Sequence, residues 1–236
     1  MPAVVFSEAA SSGPEMTQAT PLTDRAGPGG AAPVRAGACW LCRGPLEARA
    51  LFCGTCKAVQ PPAQIDHFAR LDLPVRFDLD AAELDRRYFA LQRQLHPDRF
   101  ATRTARERAI SQSQAVALNE AYETLKDPLA RAEYMLRLNG VAVNPDGCNT
   151  VRDPTLLMEQ MERREALAEA GSADAIEAII AHARQDLDSG FAATAAAFIA
   201  KDLDRAECEV TRLKYLTKLL EEARVRRARL RGSASP

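Results

Sequence analysis

The sequence predicts an all-α fold: a helical hairpin, then a C-terminal three-helix bundle, preceded by a small tetracysteine metal knuckle and a disordered N-terminus. Three observations support this prediction. Most of the chain is rich in Ala, Leu, Glu and Arg, which are strong helix formers. Apolar residues recur at helical spacing on both sides of a central proline. Two C-x-x-C pairs occupy a short stretch that has no apolar period.

Length, charge and hydropathy restrict the classes of protein to which the chain can belong. The 236 residues carry a formal net charge of −1, which argues against general binding to nucleic acid or to a membrane surface. We find no apolar run long enough to span a bilayer. The N-terminus shows neither a secretory signal nor the acid-free, Arg-rich composition of a presequence, so we expect the bacterial cytoplasm rather than the mitochondrial matrix.

Residues 1–37 are rich in Ala, Gly, Pro, Ser and Thr and show no sustained period. Such a segment buries too little apolar surface to offset the entropy lost on ordering. We therefore expect a disordered N-terminal segment.

Two C-x-x-C pairs define a metal module over residues 38–62. Its four thiols are those of Cys39, Cys42, Cys53 and Cys56. Paired C-x-x-C motifs form two knuckles around one tetrahedral ion, and a complete thiolate set is typical of structural zinc. Iron could take the same ligands. The alternatives are four idle thiols, two disulfides, which suit a cytosolic chain poorly, or a redox motif, which lacks its expected βαβ context.

The segment Leu95–Arg99 marks the turn of the predicted hairpin. An apolar stripe precedes it: Leu84, Tyr88, Leu91 and Leu95. Pro97 cannot continue the helix. After an irregular polar stretch from Arg99 to Thr104, a second helical pattern carries Ile110, Leu118 and Leu125 until Lys126-Asp127-Pro128 ends it. Antiparallel packing of the two helices would leave the tripeptide His96-Pro97-Asp98 exposed at the tip.

Shorter helices are predicted on either side of this hairpin, over about 65–71 and 129–138. The segment Asp80–Glu83 has the residues of a capping box at the start of the first hairpin helix. We assign residues 63–140 to this domain and residues 141–152, which are rich in turn residues, to a linker.

Three more helical patterns follow, over about 154–170, 172–200 and 203–228. Their lengths and short connections predict an antiparallel three-helix domain over residues 153–230. Residues 231–236 are expected to be a disordered tail.

The first of these helices has an unusual outer face. At about 100° per residue, Leu156 and Leu167 lie on one side, and a mixed set lies on the other. This set, here named the contact patch, comprises Leu157, Met158, Met161, Glu162, Glu165 and Glu169. Exposed methionines among glutamates indicate an adaptable apolar surface with an acidic rim. The alternative is that both faces are buried and the glutamates are simply solvated.

The hairpin, with His96-Pro97-Asp98 at its tip and Asn119–Leu125 in its second helix, resembles the J-domain of DnaJ-type co-chaperones. The resemblance implies that the tripeptide contacts a DnaK/HscA-type ATPase chaperone and triggers its ATP hydrolysis. Arg86, Arg87 and Arg93 would face an acidic surface of that chaperone, an arrangement that steers a weak and transient encounter.

Further segments are similar to the HscB family, the J-type co-chaperones of iron–sulfur cluster biogenesis, over about residues 64–228. They are Asp66–Phe68, Leu91–Asp98, Arg131–Tyr134 and Leu157–Glu162. The resemblance implies that the contact patch and Tyr215 bind an IscU-type cluster scaffold protein. The tetracysteine module departs from the shorter bacterial members and resembles the N-terminal extension of animal mitochondrial members.

We therefore expect an adaptor without catalytic residues that activates a partner ATPase and assists iron–sulfur cluster transfer and iron–sulfur protein maturation. One alternative is a general DnaJ-type co-chaperone that delivers unfolded clients, with the metal module as a client-binding finger. Another is a nucleic-acid binder that uses the basic run Arg224–Arg231. A solvated helix end that complements the helix dipole is the simpler interpretation of that run.

Overall fold

The structure, a computed structural model, describes residues 35–47, 49–141 and 154–233. Its elements in chain order are β1 (Arg35–Ala38), β2 (Pro45–Glu47), α1 (His67–Arg70), α2 (Ala81–Leu95), a 3₁₀ turn (Pro97–Phe100), α3 (Ala105–Lys126), α4 (Pro128–Leu138), α5 (Pro154–Glu169), α6 (Ala173–Ala200) and α7 (Leu203–Ser233). The predicted helical fold class is confirmed, and the structure adds a two-stranded antiparallel sheet in the metal module. Among the described helices, none combines the length and apolar character needed to cross a membrane.

The ends of the predicted domains differ slightly from the structure. Strand β1 begins at Arg35, inside the segment predicted to be disordered, because pairing with β2 satisfies its backbone. Helix α7 continues to Ser233, past the predicted domain end at residue 230. The rest of the predicted N-terminal segment, residues 142–152 of the linker and the last three residues of the tail lie outside the described residues.

Helices α2 and α3 form the predicted antiparallel hairpin. Tyr122 Oη donates to Asp85 Oδ1 at 2.8 Å, and the rings of Tyr88 and Tyr122 stack with their centroids 3.9 Å apart. Nearer the turn, Ser111 Oγ donates to the Leu95 carbonyl at 2.7 Å. The paired residues become closer in sequence toward the turn, as an antiparallel hairpin requires.

Side-chain caps define where the hairpin helices begin. Asp80 caps α2 by accepting the N–H of Ala82. The predicted capping box with Glu83 is wrong, because that carboxylate is engaged by two arginines one turn further along α2. A true capping box begins α3, where Thr104 and Glu107 bond each other's backbone N–H.

In the C-terminal domain α6 and α7 pack against each other, with α5 against α7. Gly190 does not break α6; it is buried, and a Cβ at this position would lie 2.8 Å from Leu213 Cδ2 of α7. Lys201 ends α6 in the left-handed conformation, with φ of 57°. Only Leu156 and Leu167 within α5 are buried, so this helix is attached by a narrow apolar stripe.

One hydrophobic cluster joins the hairpin to α6 and α7. Phe77, in the loop before α2, stacks on Phe198 of α6 with ring centroids 5.8 Å apart. The guanidinium of Arg131 lies 5.1 Å from the centre of the Phe77 ring. An ion pair between Lys214 and Glu133, with an N–O distance of 3.1 Å, links α7 to α4. This cluster joins the two parts, and a second cluster around Ile176, Ile180 and Leu220 lies within the C-terminal domain.

Replacing Phe77 by alanine should weaken this junction. We expect the free energy of unfolding to fall by about 3 kcal/mol, because a buried aromatic ring is lost and a cavity remains. Urea denaturation followed by circular dichroism measures the change. The matched control is Phe89→Ala on α2, whose side chain is 49% exposed; it should cost less than about 1 kcal/mol. Equal losses in the two variants would contradict the prediction.

Candidate functional site

The tripeptide His96-Pro97-Asp98 forms an exposed turn held between two buried side chains. Leu95 before it is 1% exposed and Phe100 after it is 8% exposed. Inside the turn the His96 Nδ1 accepts the backbone N–H of Asp98 at 3.3 Å. The Asp98 carboxylate is almost fully exposed. The structure thus presents the imidazole, the proline and the carboxylate to solvent on a backbone that is fixed at both ends.

The three arginines predicted beside this turn lie on α2, and two of them have partners within the chain. Arg86 and Arg87 both pair with Glu83, and Arg87 also pairs with Asp72. The hydrogen bonds from Arg87 and Arg86 lower the pKa of the Glu83 carboxyl, and those to Glu83 and Asp72 raise the pKa of Arg87. Arg93 is exposed. An acidic partner surface would replace Glu83 and Asp72 as the partner of these arginines at little cost, because exposed ion pairs contribute little to stability.

The contact patch is open to solvent. Leu157 is 43% exposed, Met158 64% and Met161 62%, and the three glutamates of the patch are exposed as well. This exposure excludes the alternative in which both faces of α5 are buried. A contiguous group of exposed apolar side chains is typical of a surface that binds another protein.

Polar contacts hold the inner side of α5. Arg163 Nη1 lies 2.6 Å from an oxygen of Asp186 on α6, and Arg212 of α7 lies 2.8 Å from an oxygen of Glu159. The guanidinium of Arg226 donates to carbonyl oxygens at the C-terminal end of α5. These contacts fix the helix axis without covering the contact patch.

The basic run at the end of α7 is partly used inside the fold. Arg226 caps α5, as described, and Arg227 pairs with Glu177 of α6. This use favours the structural interpretation of the run over a nucleic-acid surface.

Tyr215, the remaining predicted scaffold-binding residue, lies on α7 beside α5. It is half-buried on α7 and lines a cavity of about 20 Å³ together with Leu156, Gln160 and Leu219. Leu156 belongs to the packed side of α5, whereas Gln160 and Arg164, which also line this cavity, are the sequence neighbours of Met161 and Glu165 in the contact patch.

The four predicted metal ligands come together. The Sγ atoms of Cys39 and Cys56 are 3.7 Å apart, as are those of Cys42 and Cys53, and all four lie within 4.8 Å of one another. None of the four is joined in a disulfide. A tetrahedral ion with metal–sulfur bonds of about 2.3 Å requires sulfur–sulfur distances of about 3.8 Å. The thiols therefore fit one tetrahedral metal ion.

Two equivalent knuckles build this centre. Arg43 and Lys57 follow the second cysteine of each pair, and both have φ of 60°. Their N–H groups donate to the carbonyls of Cys39 and Cys53, in each case at 3.0 Å. The chain reverses in the same way twice, which directs both pairs of thiols to one point.

The four thiols of the cluster differ in pKa because their hydrogen-bond donors and neighbouring thiols differ. Burial raises the pKa of the Cys39 thiol, but the backbone N–H donors of Cys42 and Leu41 outweigh it and bring that pKa to about 6. For Cys56 the N–H of Ala58 lowers the pKa, but burial and the adjacent thiols outweigh it and raise the pKa to about 12. Full ionisation of the cluster therefore requires a cation.

The metal module is attached to α3 by a pair of buried amides. Gln60 Nε2 donates to Cys39 Sγ at 3.3 Å, and Gln114 Nε2 of α3 donates to the Gln60 carbonyl at 2.8 Å. Beside them the guanidinium of Arg106 lies 4.4 Å from the centre of the Trp40 ring. The module is thus fixed to the J-domain-like hairpin.

These connecting amides were not predicted from the sequence. Gln114 is four residues from both Ile110 and Leu118, on the buried face of α3. A polar residue at that position of an apolar stripe is the signal that could have identified it, because buried amides need hydrogen-bond partners.

Two family models match the chain. The model of the DnaJ domain matches residues 66–134. The model described as HSCB C-terminal oligomerisation domain matches residues 152–224. The first match contains the exposed turn, and the second contains the contact patch.

Curated relatives show the same similarity over longer stretches. The chain is 34% identical over 185 residues to the iron–sulfur cluster co-chaperone protein HscB homolog of Arabidopsis thaliana, an alignment covering 78% of this chain and 72% of that protein. It is 38% identical over 159 residues to the co-chaperone protein HscB homolog of Paraburkholderia phymatum, covering 66% of this chain and 90% of that protein.

Solved structures of HscB proteins are similar to this chain in fold. The crystal structure of human co-chaperone protein HscB is similar with a TM-score of 0.76 and 32% sequence identity, covering 80% of this chain and 98% of the human one. The chaperone HscB from Vibrio cholerae gives a TM-score of 0.62 at 35% identity, covering 70% of this chain and 99% of the other.

Removing the metal should unfold the metal module. The module has little core of its own, so its folding depends on the ion, and its loss would release Val59 from the shared core. We expect one ion per chain by atomic absorption, and a melting temperature about 5 °C lower after chelation or in Cys53→Ser.

The control for this prediction is Cys208→Ser on α7, which should keep both the metal content and the melting temperature. A chain that binds no metal, or that melts at the same temperature after chelation, would contradict the prediction. The same absorption measurement distinguishes zinc from iron.

Proposed function

The chain belongs to the HscB family of J-type co-chaperones, and we propose that it stimulates ATP hydrolysis by a DnaK/HscA-type chaperone while delivering an IscU-type iron–sulfur scaffold protein to it. A J-domain implies a chaperone partner of the Hsp70 type. The observation that carries the proposal is the presence of two separate exposed sites, the turn at His96-Pro97-Asp98 and the contact patch, on two parts of the chain that a hydrophobic cluster joins.

At the first site, the exposed turn offers a carboxylate, an imidazole and a rigid proline to the ATPase chaperone. The buried anchors Leu95 and Phe100 limit the backbone freedom that binding would otherwise remove. Arg86, Arg87 and Arg93 supply the positive charge that attracts an acidic surface and sets the register of docking. The chain itself has no catalytic role in this scheme, because the chaperone hydrolyses the ATP.

At the second site, the contact patch receives the scaffold protein. The flexible thioethers of Met158 and Met161 adapt to the partner surface, and the glutamates around them favour a partner with basic residues at its rim. Tyr215 adds an aromatic ring to this site from α7, where it lines a cavity beside α5.

Holding both partners on one chain, whose two parts are joined by a hydrophobic cluster, makes their meeting nearly intramolecular. The gain is an increased effective concentration of the scaffold at the chaperone, without any new contact between them. The predicted structural zinc keeps the metal module folded beside the hairpin. Through this delivery the protein would assist cluster transfer and maturation of iron–sulfur proteins.

Replacing Asp98 by alanine should abolish stimulation of the chaperone. The variant loses the most exposed polar group of the turn but none of the buried anchors, so its fold should be kept. Steady-state ATPase with the cognate chaperone should return to the basal rate of that chaperone. Asp188→Ala, which removes an exposed carboxylate from α6, should stimulate like the wild type. Full stimulation by Asp98→Ala would show that the turn does not act as proposed.

Replacing Met158 and Met161 together by alanine should weaken binding of the scaffold. Loss of two apolar anchors predicts an affinity at least about ten-fold lower by calorimetry. The scaffold-dependent part of the ATPase stimulation should disappear, and the scaffold-independent part should remain.

The control for the patch is the double variant Ile199→Ala and Val225→Ala, which truncates two other exposed apolar side chains and should bind the scaffold normally. If the methionine variant also binds it normally, the scaffold role is refuted. Delivery of unfolded clients then becomes the better interpretation.

A further inference from the structure

A groove of about 510 Å³ lies between the metal module and the exposed turn. The module contributes Leu41 and Lys57 to its walls. The segment that follows the tripeptide contributes Arg99 and Arg103. The groove therefore begins at the residue next to Asp98 and continues onto the module.

The groove carries positive charge that the fold does not neutralise. Lys57 Nζ donates to the Gly54 carbonyl at 2.9 Å, and Arg99 Nη1 donates to the Arg93 carbonyl at 3.3 Å. Within the described part of the chain, no carboxylate lies within 4.0 Å of the charged nitrogens of Lys57, Arg99 or Arg103. Glu107, the acidic residue of the lining, accepts the capping hydrogen bonds of Thr104 and offsets only one of the three positive charges.

The same groove has an apolar side. Leu41 is 55% exposed at its edge, and Phe52 is half-buried in its wall. A segment that combines carboxylates with an apolar side chain would satisfy both features of this surface, since opposite charge steers the encounter and apolar contact retains the partner.

We propose that this groove extends the docking surface of the exposed turn, and that Lys57 and Leu41 of the metal module bind an acidic segment of the ATPase chaperone. The inference rests on the proposed function, because it takes the chaperone at His96-Pro97-Asp98 as its partner. Continuity of the groove with that turn and its charge select this occupant over the scaffold protein, whose proposed site on α5 is itself acidic.

This proposal gives the metal module a role in recognition. Lys57 directly follows Cys56, and the knuckle fixes its left-handed backbone. Arg43 occupies the equivalent position of the other knuckle, with the same φ and the same backbone hydrogen bond, but it does not line the groove. Arg43 is therefore a matched control for Lys57: the two residues have the same backbone structure, but only Lys57 lines the groove.

The test compares Lys57→Glu with Arg43→Glu in the full chain. Affinity for the purified chaperone is measured by interferometry at low and at high salt, and metal content verifies that each knuckle is folded. We expect Lys57→Glu to bind about five-fold more weakly at low salt, with a smaller difference at high salt. Arg43→Glu should stay within about two-fold of the wild type.

A second variant covers the case in which Lys57→Glu loses its metal. Leu41→Ser changes an exposed side chain and keeps the backbone N–H that donates to Cys39 Sγ. This variant should bind the chaperone about three-fold more weakly than the wild type. Equal affinities of the groove variants and Arg43→Glu would overturn the inference. So would a loss of scaffold affinity in the groove variants instead of a loss of chaperone affinity.

Asp98→Ala, measured in the same series, separates this inference from the proposed function. If Asp98→Ala abolishes stimulation while Lys57→Glu and Leu41→Ser bind like the wild type, only the groove is refuted. If Asp98→Ala stimulates fully, the proposed function fails, and the inference fails with it.

Discussion

The buried face of α3 is the surface on which the J-domain and the metal module are assembled. Ser111 fixes the end of α2 by donating to the Leu95 carbonyl, and three residues later Gln114 fixes the metal module through the Gln60 carbonyl. Both side chains are buried, so leaving either acceptor without its partner would cost about 1–3 kcal/mol. The exposed turn and the thiol cluster are therefore positioned by neighbouring residues of one helix face.

The C-terminal domain shows how a binding surface is exposed without loosening the fold. Two long helices form its packed interior, and α5 contributes only Leu156 and Leu167 to burial within its length. Ion pairs through Arg163 and Arg212 compensate for this narrow contact. Elements with few buried contacts have low local stability, and binding surfaces are often drawn from them. The shared core around Phe77 keeps this domain in a fixed relation to the hairpin.

Local patterns accounted for most element boundaries. Helical periodicity placed α5, α6 and α7 within a few residues of their observed bounds, apart from the end of α7, and Pro97 correctly ended α2. The errors arose where side chains had alternative partners. Glu83 was expected in a capping box, but arginines one turn along the same helix are better partners for a carboxylate. Gly190 lies inside α6, where it leaves room for Leu213 of α7 to pack against a continuous helix.

The sequence by itself determined the helices, the tetracysteine ligand set, the exposed tripeptide and the exposed face of α5, because each follows from spacing within one segment. Only the tertiary structure decided how these parts meet. It placed the metal module on α3, Tyr215 beside α5 and Lys57 across a groove from Arg99. The reason is physical: spacing fixes which side of a helix or knuckle a residue occupies, whereas long-range partners are selected by packing and hydrogen bonding between segments distant in sequence.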